Sequence, residues 1–120
     1  MSERDLHDRA GELEPAALRA QLDTIFHACG EAGFHAAGEA GQVPLRLVEV
    51  IEGQSDRRVQ RFSILLHGPA DRMLSQGTYS FRHDTLGEFL LFIVPVVGSN
   101  DERIVYEACF SRQVTEPTTP

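Results

Sequence analysis

The amino-acid sequence predicts a mainly β (α+β) fold: a small curled antiparallel sheet or barrel of about six strands, with one N-terminal helix packed on an open end. Three observations support this fold class. Beyond residue 43, apolar and polar residues alternate in runs that turn signals separate. No helical periodicity interrupts those runs, which favours antiparallel connections. The one helical pattern precedes them.

Length and composition predict a single domain over residues 14–112. A chain of 120 residues, of which 42% are hydrophobic, can bury a core without a metal or a disulfide. Residues 1–13 mix charge and glycine without periodicity, and a flexible N-terminal arm is expected there. Residues 113–120 contain two prolines, and a disordered tail is expected.

The helix is predicted over residues 15–23. Pro15 suits the first turn of a helix, where its missing N–H has no partner to lose. Leu18, Leu22 and Ile25 follow at the spacing that places apolar side chains on one helical face.

The segments between this helix and the main sheet are less regular. Residues 24–29 leave two alternatives open, an extension of the helix or a first strand, because β-branched and aromatic residues favour extended structure. Residues 30–42 contain four glycines and predict a long, mobile hairpin loop. Residues 43–52 form a strand in which the apolar parity changes near Leu47, and this change indicates a β-bulge.

The later strands have predicted inward faces. Residues 89–97 are apolar at both parities, which predicts a central strand covered on both sides, with pairing on one side ending near Pro95. Before it, Gln76 and Gly77 predict a bulge whose freed backbone groups the Gln76 amide would bind. The residues predicted to face the core are Phe62, Ile64, Leu66, Tyr79, Phe81, Ile104, Tyr106, Ala108 and Phe110.

Charge and hydropathy exclude several classes of partner. The 18 acidic and 11 basic residues give a net charge of -7, so nucleic acid is not an expected partner. The apolar runs are too short for a signal peptide or a membrane span, so no membrane association and a cytoplasmic location are predicted.

The cysteines and histidines predict no cofactor and no metal site. Two cysteines in a chain without a secretory signal are expected to be reduced thiols, and Cys109 is predicted to be a small buried hydrophobe. His27, Cys29 and His35 cluster loosely, but a zinc site normally needs about four ligands.

A succession of short motifs carries a resemblance to a known family. "LRLVEV", "FSILLHGP", "LSQGTYSFRHDTLGEFLLFIVPV" and "YEACFSR" follow one another over roughly residues 45–112. In this order they resemble a family of short, uncharacterised bacterial proteins classed as a domain of unknown function. The resemblance implies no established activity, and it implies members encoded beside proteins similar to phage tail collars. Cys109 at a usually aliphatic position and the long glycine-rich loop of residues 30–42 depart from the pattern.

The candidate binding residues are His67, Gln76, Tyr79, Glu107 and Arg112. If the strands pair in sequence order, His67 and Glu107 lie on one face, where a carboxylate and an imidazole tune each other's pKa. No motif for a nucleophile with its base occurs, so no residue is assigned a catalytic role. The structural alternative is that Glu107 forms a surface ion pair and Tyr79 fills the core.

Three functions therefore remain as hypotheses. The preferred one is a non-catalytic protein-interaction or accessory scaffolding module, with another protein as partner, in a phage-tail-like or other multi-protein assembly. A homo-oligomer is a further alternative. The second hypothesis is a small-ligand-binding β-barrel with an interior pocket lined by Phe62, Ile64, Tyr79, Phe81 and Phe110. The third is an enzyme that uses His67 and Glu107.

Overall fold

The computed structural model describes residues 13–53, 59–96, 100 and 102–113. Six strands and two short α-helices lie in this part of the chain. Their bounds are α1 Pro15–Arg19, β1 Ile25–Cys29, α2 Phe34–Ala37, β2 Val43–Glu52, β3 Val59–Pro69, β4 Gly77–His83, β5 Gly87–Val96 and β6 Arg103–Gln113. The predicted N-terminal arm before residue 13 and the predicted tail after residue 113 lie outside the described residues.

The six strands close into an antiparallel barrel, which confirms the predicted fold class. Their order around the barrel is β1-β2-β3-β6-β5-β4, and β1 pairs with β4 to close it. The strands do not pair in sequence order, because β3 pairs along its whole length with β6 instead of β4. The seam between β5 and β6 is short and pairs only Val94–Val96 with Val105–Glu107.

The predicted bulge in β2 is present. The register between β2 and β3 shifts between Leu47 and Glu49. Leu47 is fully buried opposite Leu66, whereas after the bulge Val50 takes the inward position opposite Ile64. The extra residue shifts the alternation of inward and outward side chains by one position. Apolar side chains therefore face the core both before and after the bulge.

The core fills the barrel with the chain's own side chains. All the residues predicted to face inwards are buried in the core or pack against it. The core cluster is Leu13, Leu18, Phe26, Ala28, Val43, Leu45, Leu47, Phe62, Ile64, Leu66, Phe81, Phe89, Leu91, Ile93, Tyr106 and Ala108. Burial of this apolar surface is the main term that stabilises the fold.

Helix α1 is shorter than the sequence predicts, but it packs on the barrel as expected. It ends at Arg19, whose guanidinium lies 2.9 Å from the Glu52 carboxylate on β2. Leu18 is fully buried in the core cluster. Ile25 does not share this helical face, because it begins β1 and is 44% exposed on the outside of the barrel.

The open alternative for residues 24–29 resolves as a strand. Asp23 adopts a left-handed φ of 67° and turns the chain after α1. Its N–H donates to the Leu47 carbonyl, and the Leu47 N–H donates to the Thr24 carbonyl. These tertiary hydrogen bonds favour extended structure over another helical turn.

Three local predictions are corrected. The glycine-rich loop between β1 and β2 contains α2, whose Phe34 is buried under the Arg82 guanidinium at 4.1 Å. Gly77 does not form a bulge, since β4 and β5 pair in continuous register from Gly77 to His83. Cys109 is exposed instead of buried, because it alternates with the inward Ala108 and Phe110 and faces solvent.

Candidate functional site

His67 and Glu107 lie on the same outer face of the barrel, but they are not direct neighbours. His67 on β3 is opposite Val105 of β6, and Glu107 is opposite Leu65. The two side chains are therefore diagonal, a spacing of about 7–8 Å between Cα atoms in antiparallel strands. Within the described part of the chain, no hydrogen bond or ion pair joins them.

Gln76 and Tyr79 lie at the bend that precedes β4 and in β4 itself. Gln76 is exposed in the bend before β4, and its amide makes no hydrogen bond to any described residue. The bend is held instead by two tyrosine hydroxyls. Tyr79 donates to the Ser75 carbonyl at 2.6 Å, and the Tyr106 hydroxyl accepts from the Leu74 N–H at 2.8 Å.

Arg112 lies near the end of β6, opposite Gln60 of β3. Its side chain is outside the described part of the structure. Its candidate role stays a prediction.

A basic concavity of about 310 Å³ surrounds His67. Arg46 of β2 is directly opposite His67 in the register, and Arg103 begins β6 opposite Pro69. Both arginines line this concavity, and neither forms an ion pair with a described residue. We call Arg46, His67 and Arg103 the basic cluster. The rest of the wall comes from Ile25, Pro44, Gly68, Pro69 and Glu102.

His67 is kept neutral by its surroundings. Partial burial lowers the pKa of its imidazole first, and the positive charges of Arg103 and Arg46 lower it further. Its Nδ1 atom is buried and has no hydrogen-bond partner among the described residues. The fold therefore leaves Nδ1 of His67 without a hydrogen bond among the described residues, and the charges that lower the pKa of His67 are those of arginines.

A second surface feature is a patch of three apolar and two acidic residues beside the short seam between β5 and β6. Glu49, Leu65, Glu107 and Val94 form one row across β2, β3, β6 and β5. Phe92 lies two residues from Val94 on the same face and is 52% exposed. We call these five residues the seam patch. Neither carboxylate of the patch has an ion-pair partner within the described ranges.

A smaller concavity of about 230 Å³ lies where β2, β3 and β6 extend together. Phe62 and Phe110 stack there with ring centroids 4.5 Å apart, and Cys109 and Ile51 contribute to the wall. Partial burial of the Cys109 sulfur raises the pKa of the thiol, and the neighbouring Glu107 raises it further. At neutral pH the thiol is therefore protonated and a poor nucleophile.

The side chains predicted to line an interior ligand pocket form the core instead. Phe62, Ile64 and Phe81 belong to the core cluster, and Tyr79 and Phe110 pack against it. A barrel of about six strands has room for little besides its own side chains.

His27, Cys29 and His35, which cluster loosely in the sequence, have different surroundings in the fold. His27 and His35 are exposed, whereas Cys29 is buried and donates its S–H to the Gly30 carbonyl. The described part of the chain has no group of three or more histidine, cysteine or acidic residues arranged to hold a metal ion.

Sequence reasoning missed Arg46, Arg103 and Phe92. The two arginines are ordinary polar positions in alternating strands, and only the pairing of β3 with β2 and β6 brings them to His67. Phe92 belongs to the apolar run predicted to be covered on both faces; the outward-facing Leu90 of this run is buried, whereas Phe92 is 52% exposed. The outward parity of Phe92 beside a closed barrel was the signal that could have identified it.

Comparison with known proteins identifies a family but no characterised relative. The profile of a family described as "Domain of unknown function (DUF6916)" matches residues 23–110, which span β1 to β5 and most of β6. No curated protein and no solved structure matches the chain. No helix in the described part is long and apolar enough to cross a membrane.

Proposed function

The chain belongs to the DUF6916 family, and we propose that this domain is a non-catalytic interaction module that docks on another protein through the seam patch. The observation that carries the proposal is the exposure of Phe92, a large apolar side chain that is 52% accessible on a regular strand. The family's description assigns no activity.

The apolar part of the seam patch suits an aromatic or aliphatic anchor of a partner. Leu65 and Val94 are half-buried on either side of Glu107 in the same row, and Phe92 extends the apolar surface along β5. The barrel interior is already filled, so a rearrangement that buries Phe92 inside would displace core residues. Cover for Phe92 is therefore expected from outside the domain.

Charge indicates which chemistry the partner carries. Glu49 and Glu107 belong to the patch and have no ion-pair partner among the described residues. The whole chain has a net charge of -7. A partner segment with an apolar anchor flanked by lysine or arginine would match this arrangement.

A second copy of the chain fits this patch less well. A two-fold symmetric contact would bring the patch of one copy against the same patch of the other, so that Glu49 and Glu107 of both copies would share one interface. Two chains of the same net charge would also repel. The preferred partner is thus a different protein, and a tail-collar-like subunit is the candidate that the sequence resemblance implies. An accessory scaffolding role in a multi-protein assembly follows from that candidate.

The proposal is tested by crosslinking in cells, followed by a binding measurement with the purified proteins. A photoreactive amino acid replaces Phe92 in the native host, and in a parallel strain it replaces Met73, which is 62% exposed outside the barrel strands. The protein crosslinked from position 92 alone is then purified, and its affinity for the wild-type domain is measured by calorimetry. We expect Phe92→Ser to weaken binding at least about tenfold, as for a buried aromatic anchor, and Met73→Ser to leave it unchanged.

Three results would contradict the proposal. One is equal crosslinking from both positions, and another is unchanged affinity for Phe92→Ser with an unaltered melting temperature. The third is self-association of the pure domain in light scattering that Phe92→Ser abolishes, since the patch would then bind a second copy. Glu107→Gln provides a further check, because its effect on affinity should shrink at high salt.

A further inference from the structure

We propose that the basic cluster of Arg46, His67 and Arg103 is a binding site for an organic carboxylate. The carboxylate group would lie between the two guanidinium groups, with the remainder of the ligand in the concavity of about 310 Å³. This site goes beyond the proposed docking function, since its residues are distinct from those of the seam patch.

The two arginines provide the electrostatic part of the argument. Arg46 and Arg103 line one concavity without a carboxylate partner among the described residues, although the chain contains 18 acidic residues. By contrast, Arg19 and Arg82 each have such a partner, at 2.9 Å and 3.6 Å. Guanidinium groups bind carboxylates through paired, charge-assisted hydrogen bonds, and a bound anion would reduce the mutual repulsion of the two cations.

The remaining walls select among anions. Ile25, Pro44 and Pro69 line the same concavity, so it offers an apolar surface beside the charges. Glu102 also lines it and opposes a dianion more strongly than a monoanion. A monocarboxylate attached to an apolar body therefore fits better than inorganic phosphate.

His67 couples binding to pH. The charged groups around it are Arg46 from β2, Arg103 and Glu102 at the start of β6, and Glu107 farther along β6. An anion between the guanidinium groups offsets their field at the imidazole, so protonation of His67 becomes easier in the complex. By linkage, affinity for the carboxylate should rise as pH falls through the pKa of His67.

The experiment titrates the full-length protein with benzoate, followed by NMR shifts of the His67 ring and the surrounding amides. Benzamide, a neutral molecule of the same shape, and inorganic phosphate are the matched ligands. We expect saturable binding of benzoate, at least about tenfold weaker binding of benzamide and of phosphate, and an upward shift of the His67 titration midpoint when benzoate is bound.

Arginine variants distinguish a specific binding site from nonspecific attraction of an anion to positive charge. Arg46→Gln and Arg103→Gln should each weaken benzoate binding about tenfold, whereas Arg19→Gln, which removes an equal charge elsewhere, should not change it. His67→Phe should abolish the pH dependence. Equal binding of benzoate and benzamide would overturn the site, as would equal losses in all three arginine variants. Phosphate binding as tight as that of benzoate would overturn the monocarboxylate class.

Discussion

His83 shows how a single buried polar residue can join two distant parts of the barrel. Its Nδ1 accepts the N–H groups of Thr85 at 3.0 Å and Leu86 at 3.2 Å, which closes the turn between β4 and β5. Its Nε2 lies 2.8 Å from the Thr24 hydroxyl, which itself donates to the Gln21 carbonyl at 2.6 Å. Because Nδ1 accepts N–H groups, it carries no proton. The Thr24 hydroxyl uses its proton on Gln21 and so accepts from Nε2–H. The imidazole is therefore neutral, with its proton on Nε2.

This neutral state makes stability depend on pH. Burial lowers the pKa of His83 in the folded protein, with a small opposing effect of Asp84. The unfolded chain, with a histidine pKa of about 6.5, then binds more protons than the folded chain at lower pH. The stabilisation is present above that pH and is lost as pH falls from about 6.5 towards the folded-state pKa.

We expect the free energy of unfolding to fall by up to about 1 kcal/mol between about pH 7.5 and about pH 5.5 on account of His83. Urea denaturation at the two pH values measures this. His83→Phe, which cannot titrate, should be less stable at the higher pH but should lose less stability on acidification. A pH slope that this substitution leaves unchanged would show that His83 is not the titrating group.

Gly68 and Gly77 differ in how much space is left for a side chain. A Cβ atom at Gly68 would lie 2.5 Å from Leu45 Cδ2 and 3.1 Å from Tyr106 Cε2, and both of those side chains are fully buried. At Gly77 the nearest contact would be an ordinary 3.8 Å from Tyr79 Cε1.

Gly68→Ala should therefore destabilise the domain by about 1–3 kcal/mol through overpacking. Gly77→Ala should change the free energy of unfolding by less than about 0.5 kcal/mol, although sequence reasoning assigned this glycine to a bulge. Thermal denaturation of both variants measures the difference. Similar losses at the two positions would contradict the close approach at Gly68.

At the scale of elements, the connection between β3 and β4 is held by side chains from other parts of the chain. A 3₁₀ turn, Ala70–Arg72, begins it, and the Arg72 guanidinium donates to the Ala40 and Gln42 carbonyls at 2.7 Å and 2.8 Å. The Leu74 N–H then donates to the Tyr106 hydroxyl of β6. These partners are at least 30 residues away along the chain, so no local pattern could predict them.

Tyr106→Phe isolates one of these contacts. The substitution leaves the partly buried Leu74 N–H without its acceptor, and we expect a loss of about 1–2 kcal/mol in the free energy of unfolding. Tyr79→Phe is the matched control, because its hydroxyl bonds to Ser75 at an exposed site where water can replace it. Chemical denaturation should rank Tyr106→Phe well above Tyr79→Phe, and the opposite order would refute this account.

The strands themselves were largely predictable. Alternation identified the inward faces of β3 and β6, and the parity change identified the bulge in β2. Strand ends were less predictable. Strand β3 extends through Gly68 and Pro69, a pair typical of turns, because both residues still pair with the start of β6. Pairing of β5 with β4 ends at Ile93, just before Pro95, as predicted.

At the scale of the whole molecule, closure of the barrel decides which residues meet. Strand β1 closes it against β4, and β6 inserts between β3 and β5. This order places His67 between Arg46 and the β6 strand that begins with Arg103, and the register of that pairing leaves Glu107 diagonal to His67 instead of directly opposite it. The same order leaves Phe92 exposed on the outer face beside the short seam.

The sequence alone determined that this protein is a small antiparallel β domain with a core of its own aromatic and aliphatic side chains. It could do so because the alternation of strands and the spacing of a helical face are local patterns, repeated every few residues. Only the tertiary structure decided the strand order, the basic cluster around His67 and the exposure of Phe92. Those features depend on pairing between residues far apart in the chain, and a strand's own residues specify which side faces the core but not which strand lies beside it.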